Sequence, residues 1–165
     1  MDRSEFVDRF GGIFEHSPWI AERGFSHLPD QEAAPKASQV HVALCQAFRE
    51  ADREDRLKVL EAHPDLAGKV AVSGGLTEAS RGEQAGAGLD RLSEDEHQHF
   101  ADLNRRYRQQ FGFPFIIAVK GLGKEDILRA FEKRLTHTQA EEFTAACDEV
   151  EKIALLRLEA MKPET

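Results

Sequence analysis

A regularly spaced apolar stripe over residues 143–161 is the sequence pattern that most constrains the fold of this chain. Its positions step along the chain by four, three, four, three and four, and all but Arg157 are apolar: Phe143, Cys147, Val150, Ala154, Arg157 and Met161. Because an α-helix turns once in 3.6 residues, this spacing places all of them on one helical face. We therefore predict a long amphipathic helix over about residues 138–161.

Helical spacing of apolar residues recurs earlier in the chain. It predicts a helix over about residues 3–15 and another through residues 40–48. A shorter pattern follows and should end near Glu61, because Pro64 disfavours helical geometry at His63.

Capping patterns predict the starts of further helices. Thr77 is placed to cap a short helix toward Glu83, and Ser93 followed by Glu96 is a capping-box pattern. Another helix should begin at Lys124. These signals continue the helical pattern through the second half of the chain.

Two segments interrupt the helical pattern. Ser73-Gly74-Gly75 is predicted to be a flexible break, and the strongly apolar run at residues 111–119 is interpreted as a buried extended segment between helices. With six to eight predicted helices and almost no β signal, the fold class is predicted to be all-α. We expect a multi-helix bundle that forms a single domain over residues 1–165.

Composition and charge exclude several classes of function. The net charge is −8 and no cluster of lysine or arginine stands out, so nucleic acid is not an expected partner. No apolar stretch is long enough to span a membrane, so no membrane association is expected. Cys45 and Cys147 form no CxxC pattern and are predicted to be buried thiols in a reducing compartment. The expected location is therefore the cytoplasm.

Two residues near predicted helix ends are candidates for acid–base chemistry. His63 either caps the carbonyl groups of the preceding helix or acts as a general acid or base, since imidazole titrates nearest neutral pH. Glu83 is either a solvated surface group or part of a site. Small or uncharged neighbours, among them Gln84 and Gly86, would allow a ligand to approach it closely.

Arg157 lies on the predicted inward face of the last helix, where an unpaired charge is unfavourable. It can pair with a carboxylate of the protein, keep its head group in solvent, or meet an anionic or carbonyl-rich ligand. His97 and His99 would point to different faces of a helix, so no metal pair is expected there. The sequence contains no HExxH, no glycine-rich phosphate loop and no nucleophile elbow.

The ordered set of short motifs resembles the family of 2-oxo-4-hydroxy-4-carboxy-5-ureidoimidazoline (OHCU) decarboxylases, which act in urate degradation. Each motif is weak alone, but their order along nearly the whole chain is specific. The motifs that carry the resemblance are Phe10–Ile20, His63–Lys69, Leu76–Ser80, Glu83–Leu89, Leu103-Asn104 with Tyr107, Phe111–Ile117 and Glu151–Ala154 with Arg157.

The resemblance implies an all-helical enzyme, expected to be a homodimer, that needs no cofactor or metal and converts OHCU to (S)-allantoin and CO₂. It also implies roles for individual residues. His63 and Glu83 match the catalytic pair. The remaining positions match substrate contacts and the wall of the pocket: Pro64, Ser80, Gln84, Ile116, Ile117 and Arg157.

Two other functions stay open from the sequence. A non-catalytic helical module would bind a purine-like or ureide ligand at the same residues. However, binding alone needs no acid–base pair such as His63 and Glu83. A hydrolase of a neighbouring ureide would be expected to use a metal or an activated nucleophile, and no motif for either is recognised.

Overall fold

A computed structural model describes residues 1–68 and 76–161. The break predicted at Ser73-Gly74-Gly75, and Lys69 at the end of one motif, lie outside these residues. Within the described ranges the chain forms eight α-helices and one 3₁₀ turn, with no strand, so the predicted all-α class is confirmed. The helices are α1 (Arg3–Phe10), α2 (Trp19–Gly24), α3 (Ala37–Glu50), α4 (Arg53–Glu61), α5 (Glu78–Gly86), α6 (Glu94–Phe111), α7 (Lys124–Arg134) and α8 (Gln139–Ala160), and the 3₁₀ turn is Phe25–His27.

The chain divides into two compact units, and the boundary at residues 149 and 150 falls within α8. The first contains Met1–Ala62 together with the chain from Val150 onward, and the second contains His63–Glu149. The second unit is therefore one continuous segment inserted into the sequence of the first. The single-domain organisation over residues 1–165 stays a prediction.

The first unit has a core of aromatic and aliphatic side chains from α1, α2, the 3₁₀ turn and α3. Phe6 and Phe25 lie with their ring centroids 5.5 Å apart. The predicted inward face of α3 is confirmed, because its apolar members are all buried: Val40, Ala43, Leu44, Ala47 and Phe48. Gly24 permits α2 to approach this face, since a Cβ there would lie 3.2 Å from the Ala43 carbonyl oxygen.

The first helix is shorter than the sequence predicted. α1 ends at Phe10 and not near residue 15, and two glycines, which have low helix propensity, follow it directly. Ile13 and Phe14 are nevertheless buried, and Phe14 contacts Phe48 with 5.4 Å between ring centroids. The apolar spacing therefore predicted the burial correctly and the helical conformation wrongly.

The second unit is organised around aromatic rings. Tyr107 on α6 packs against Phe111 and Phe115, and the rings of Phe115 and Phe131 stack with centroids 3.9 Å apart. Gly112 adopts φ of 83° and ends α6, which releases the chain into the segment that follows. Residues 112–119 are non-helical and largely buried, as predicted, whereas Phe111, the first residue of the predicted segment, is still the last residue of α6.

Two further expectations concern membranes and thiols. Within the described ranges, no helix combines the length and apolarity needed to cross a membrane. Both cysteines are free, as predicted. Cys147 is buried, whereas Cys45 is only half-buried because it lies at the edge of the buried face of α3.

Candidate active site

His63 begins a short irregular segment of the second unit, residues 63–68, which we call the His63 turn. α4 ends at Glu61, as predicted, and the turn carries the chain onward from there. The side chain of His63 is buried, with 6% of its surface exposed, whereas Pro64 is half-buried. A titratable imidazole is therefore largely withdrawn from solvent within the turn.

Helix α5 presents the polar residues that the sequence singled out after the turn. Thr77 caps it as predicted, because its hydroxyl oxygen accepts a hydrogen bond from the Ser80 N–H at 3.2 Å. Ser80 and Gln84 are both buried, and Glu83 beside them is half-buried. Because residues three and four apart share a helical face, the hydroxyl, carboxylate and amide lie on one side of α5.

Gln84 joins α5 to the His63 turn through two hydrogen bonds with the main chain. Its Oε1 accepts a hydrogen bond from the Ala67 N–H at 3.0 Å, and its Nε2 donates to the Asp65 carbonyl at 3.4 Å. The two sequence motifs that contain His63 and Glu83 are thereby held together in space. Gln84 performs this structural task whether or not it also contacts a ligand.

Helix α6 holds the same turn from another direction, which the sequence motifs did not predict. Asn104 donates through Nδ2 to the Leu66 carbonyl at 2.9 Å. One turn later on α6, Arg108 donates through Nε to Asp65 Oδ1 at 2.8 Å. The one available signal was a polar residue, Asn104, on the apolar face of this helix.

The main chain at Ile116 is fixed by a buried ion pair that sequence reasoning also missed. Ile116 is buried and Ile117 half-buried, and the Ile116 carbonyl accepts a hydrogen bond from Arg134 Nη1. Arg134 in turn donates through Nε to Glu142 Oε1 at 2.8 Å. Glu142 is fully buried, so this pair lies in the interior of the second unit.

Three donors converge on the carboxylate of Glu142. Besides Arg134, the Tyr107 hydroxyl donates to Oε1 at 2.6 Å, and His137 Nδ1 lies 3.0 Å from Oε2. Burial, together with the hydrogen bond to Glu142, raises the pKa of Tyr107 far above its ordinary value. Tyr107 is therefore a neutral donor at physiological pH, and the network supports the 111–119 segment.

Arg157 belongs to the first unit, where it is buried and has a protein carboxylate as its partner. Its Nη2 donates to Glu15 Oε2 at 2.8 Å, and its Nη1 donates to the Ile13 carbonyl at 3.2 Å. Glu15 is itself 1% exposed. The first of the three alternatives drawn from the sequence, pairing with a carboxylate, is thus confirmed, while a contact with a ligand stays a prediction.

Comparison with known proteins decides the family. The family model described as OHCU decarboxylase matches residues 1–159. The chain belongs to the OHCU decarboxylase family. A decarboxylase of that name from Haloferax volcanii is 44% identical over 158 residues, which cover 96% of this chain and 89% of the relative. The putative human OHCU decarboxylase is 40% identical over 163 residues, with 96% and 89% of the two chains covered.

Solved structures agree with the fold expected of an OHCU decarboxylase. A crystal structure of (S)-allantoin synthase superposes with a TM-score of 0.75 at 31% identity, covering 97% of this chain and 50% of that one. A crystal structure of OHCU decarboxylase in the presence of (S)-allantoin gives a TM-score of 0.66 at 22% identity, covering 85% and 87%. At that identity the second comparison supports the fold alone.

The residues that the OHCU decarboxylase resemblance assigns fall unequally on the two units. Arg157 alone belongs to the first unit. The other seven belong to the second: His63, Pro64, Ser80, Glu83, Gln84, Ile116 and Ile117. Among the described residues, no group of three or more histidine, cysteine, aspartate or glutamate side chains is arranged to hold a metal ion.

Proposed function

We propose that this chain catalyses the decarboxylation of OHCU in urate degradation, releasing CO₂ and forming (S)-allantoin. It is a carboxy-lyase in this proposal. The observation that carries it is the family match over residues 1–159, together with two relatives that have this activity in their names and align over 96% and 97% of the chain. The buried imidazole beside a helix of polar side chains supplies groups that such a reaction needs.

The reaction can be run by amino-acid side chains. When the bond to CO₂ breaks, its electron pair forms a C=C bond to the adjacent ring carbon, and the neighbouring C=N bond becomes a C–N bond whose nitrogen takes up a proton. The ring hydroxyl then loses its proton as it becomes a carbonyl group, and the adjacent carbon is protonated. That last proton must be added to one face of the ring, which sets the handedness of allantoin. The enzyme supplies orientation, charge stabilisation and this proton.

His63 and Glu83 are the proposed catalytic pair. His63 acts as the acid or base at the hydroxyl and carboxylate of the substrate, because imidazole gains and loses protons near neutral pH. Glu83 orients His63 or the N–H groups of the substrate and shares in the proton transfers. The buried position of His63 supports this role, since a low-dielectric surrounding strengthens interactions with a charged substrate.

Substrate contacts are proposed for the remaining matched residues. Gln84 Oε1 has a second lone pair and Nε2 a second hydrogen beyond the bonds to the turn, so the amide can read ureido or ring edges. Ser80 offers a hydroxyl, and Arg157 a guanidinium suited to carbonyl or carboxylate oxygens. Pro64 and the main chain at residues 116 and 117 form the proposed wall.

The assembly and location are also proposals. We expect a homodimer in the cytoplasm that uses no cofactor and has neither nucleic acid nor membrane as a partner. The acidic charge of −8 and the free thiols support this expectation. Light scattering after size-exclusion chromatography measures the dimer directly.

The test of the function is the formation of optically active allantoin. Urate, urate oxidase and the upstream hydrolase generate the substrate in place, and circular dichroism follows a single-handed product. The wild-type chain should give a rapid signal, and His63→Asn should abolish it while far-ultraviolet dichroism stays native. His99→Asn is the matched control, since His99 is an exposed histidine of the same unit.

Two outcomes would contradict the proposal. A wild-type signal no faster than the enzyme-free blank would remove the decarboxylase activity and favour a module that binds purine-like or ureide ligands. Full activity of His63→Asn would leave the reaction in place and remove His63 from it.

A further inference from the structure

We propose that Asn104 is a positioning residue of the decarboxylase, acting through the main chain of the His63 turn to place the imidazole of His63. This inference rests on the proposed function. Asn104 is buried on α6, with 5% of its surface exposed, and its Nδ2 donates to the Leu66 carbonyl three residues after His63. The bond joins a rigid 18-residue helix to an irregular segment.

The hydrogen bonding of Asn104 is one-sided. Nδ2 has its acceptor at 2.9 Å, whereas Oδ1 is buried without a hydrogen-bond partner among the described residues. A buried acceptor without a partner is unfavourable, and a leucine of similar volume would avoid it. An amide at this position is therefore better explained by what Nδ2 holds than by a contribution to the stability of the core.

The held segment has a backbone conformation that needs support. Ala67 adopts φ of 53°, the left-handed region that L-residues with a side chain rarely occupy. Asn104 fixes the carbonyl of Leu66 immediately before Ala67, and Gln84 fixes the N–H of Ala67 itself. Such conformations persist where the surrounding structure over-determines them.

Loss of the Asn104 bond should therefore let the turn relax toward ordinary backbone geometry. Leu66 and His63 are joined by only two intervening residues, one of them Pro64 with its restricted φ, so a rotation at Leu66 or Ala67 is passed on to the imidazole. A displacement of a catalytic group by about 1 Å can lower the rate by about 100-fold. The effect should appear mainly in kcat, because Asn104 itself is not proposed to touch the substrate.

The experiment compares Asn104→Leu with Gln110→Leu. Gln110 is the matched control because it lies on the same helix and its side-chain amide also donates a hydrogen bond to a main-chain carbonyl. That bond runs from Nε2 to the Leu135 carbonyl at 2.9 Å, away from the His63 turn. We expect Asn104→Leu to lower kcat by about 10- to 100-fold with KM changed by less than about threefold. Gln110→Leu should keep both constants near those of the wild type.

A second substitution separates positioning from general damage. Glycine adopts positive φ without strain, so Ala67→Gly in the Asn104→Leu background should restore part of the lost kcat. All rates are measured well below the unfolding temperature of each variant. If Asn104→Leu does not fold, Asn104→Asp replaces it, since it keeps the shape and replaces the Nδ2 donor with an oxygen.

Each outcome decides the proposal. A kcat for Asn104→Leu equal to that of Gln110→Leu would overturn it, and so would a loss confined to KM or a loss of kcat that Ala67→Gly does not partly restore. If the wild type is folded and active and Asn104→Leu has the same kcat, the positioning role is rejected and the proposed function is kept. A wild type no faster than the blank rejects the proposed function, and the positioning role with it.

Discussion

The fully buried carboxylate of Glu142 offers the sharpest test of what holds the second unit together. Its Oε1 accepts hydrogen bonds from Tyr107 and Arg134, and its Oε2 lies 3.0 Å from His137 Nδ1. Glu142→Gln keeps the size of the side chain and removes its charge. The guanidinium of Arg134 would then stay in the interior with no carboxylate against it.

The magnitude follows from the burial of both partners. Arg134 is 8% and Glu142 0% exposed, and removal of one member of a buried pair typically costs about 3–5 kcal/mol, because the other charge is left uncompensated. Arg134 keeps its bond to the Ile116 carbonyl and its position 4.5 Å from the Phe115 ring, which places the expected loss at the lower end. We predict about 3 kcal/mol, or about two orders of magnitude in the unfolding equilibrium.

Urea unfolding followed by far-ultraviolet dichroism measures this loss. Fluorescence of Trp19, the one tryptophan of the chain, reports the first unit in the same experiment. Coincident transitions would support the predicted single domain, because both units would then unfold together. Separate transitions would instead assign the Glu142 effect to the second unit.

The double variant Arg134→Met with Glu142→Gln supplies the control. It removes both charges, so it should be more stable than Glu142→Gln alone despite carrying one more substitution. A loss below about 1 kcal/mol for Glu142→Gln would refute the reasoning, since that is the range of an exposed pair. A double variant less stable than Glu142→Gln would refute it as well.

Three further predictions concern a thiol and a helix end. Burial, followed by the charge of Glu151, raises the pKa of Cys45 to about 12 from 9.0, so the native thiol should react with iodoacetamide more slowly at pH 9 than the urea-unfolded chain does. The folded state favours the neutral thiol, so the stabilisation linked to it is present below pH 9 and is lost as the pH rises toward about 12. In unfolding measurements, Cys45→Ala should abolish this dependence of the stability on pH. Gly112→Ala forces a side chain into φ of 83° and should lower the unfolding free energy by about 1 kcal/mol, whereas no loss would show that the turn relaxes freely.

Local signals predicted most of the helices. Thr77 and Ser93 cap α5 and α6 through their side chains, as their sequence contexts indicated. Capping depends on residues within one turn, so the sequence pattern contains the whole interaction. α1 was predicted too long because Ile13 and Phe14 continue its apolar spacing although they are not helical. Periodicity reports burial, and burial does not require a helix.

Site residues were harder to predict in their structural roles. The sequence indicated that Gln84 is a polar residue among small neighbours. It did not indicate that the Gln84 amide would form hydrogen bonds with the main chain of Asp65 and Ala67. Asn104 meets Leu66 across 38 positions of sequence. Contacts of this kind depend on the tertiary fold. All main-chain carbonyls are chemically alike, so the sequence does not indicate which one will lie within reach of a given side chain.

Polar residues on apolar helical faces carry information that can be used from the amino-acid sequence alone. Arg157 interrupts the apolar stripe of α8. Because a buried charge needs a partner, the sequence predicted a carboxylate as one possible partner, and the structure confirms it. The same reasoning applies to Asn104, which lies four residues after buried Phe100 and three before buried Tyr107. A polar group on such a face indicates that a partner exists, because burial without one is unfavourable. Which partner it meets depends on the fold, and for Asn104 that partner is the turn that carries His63.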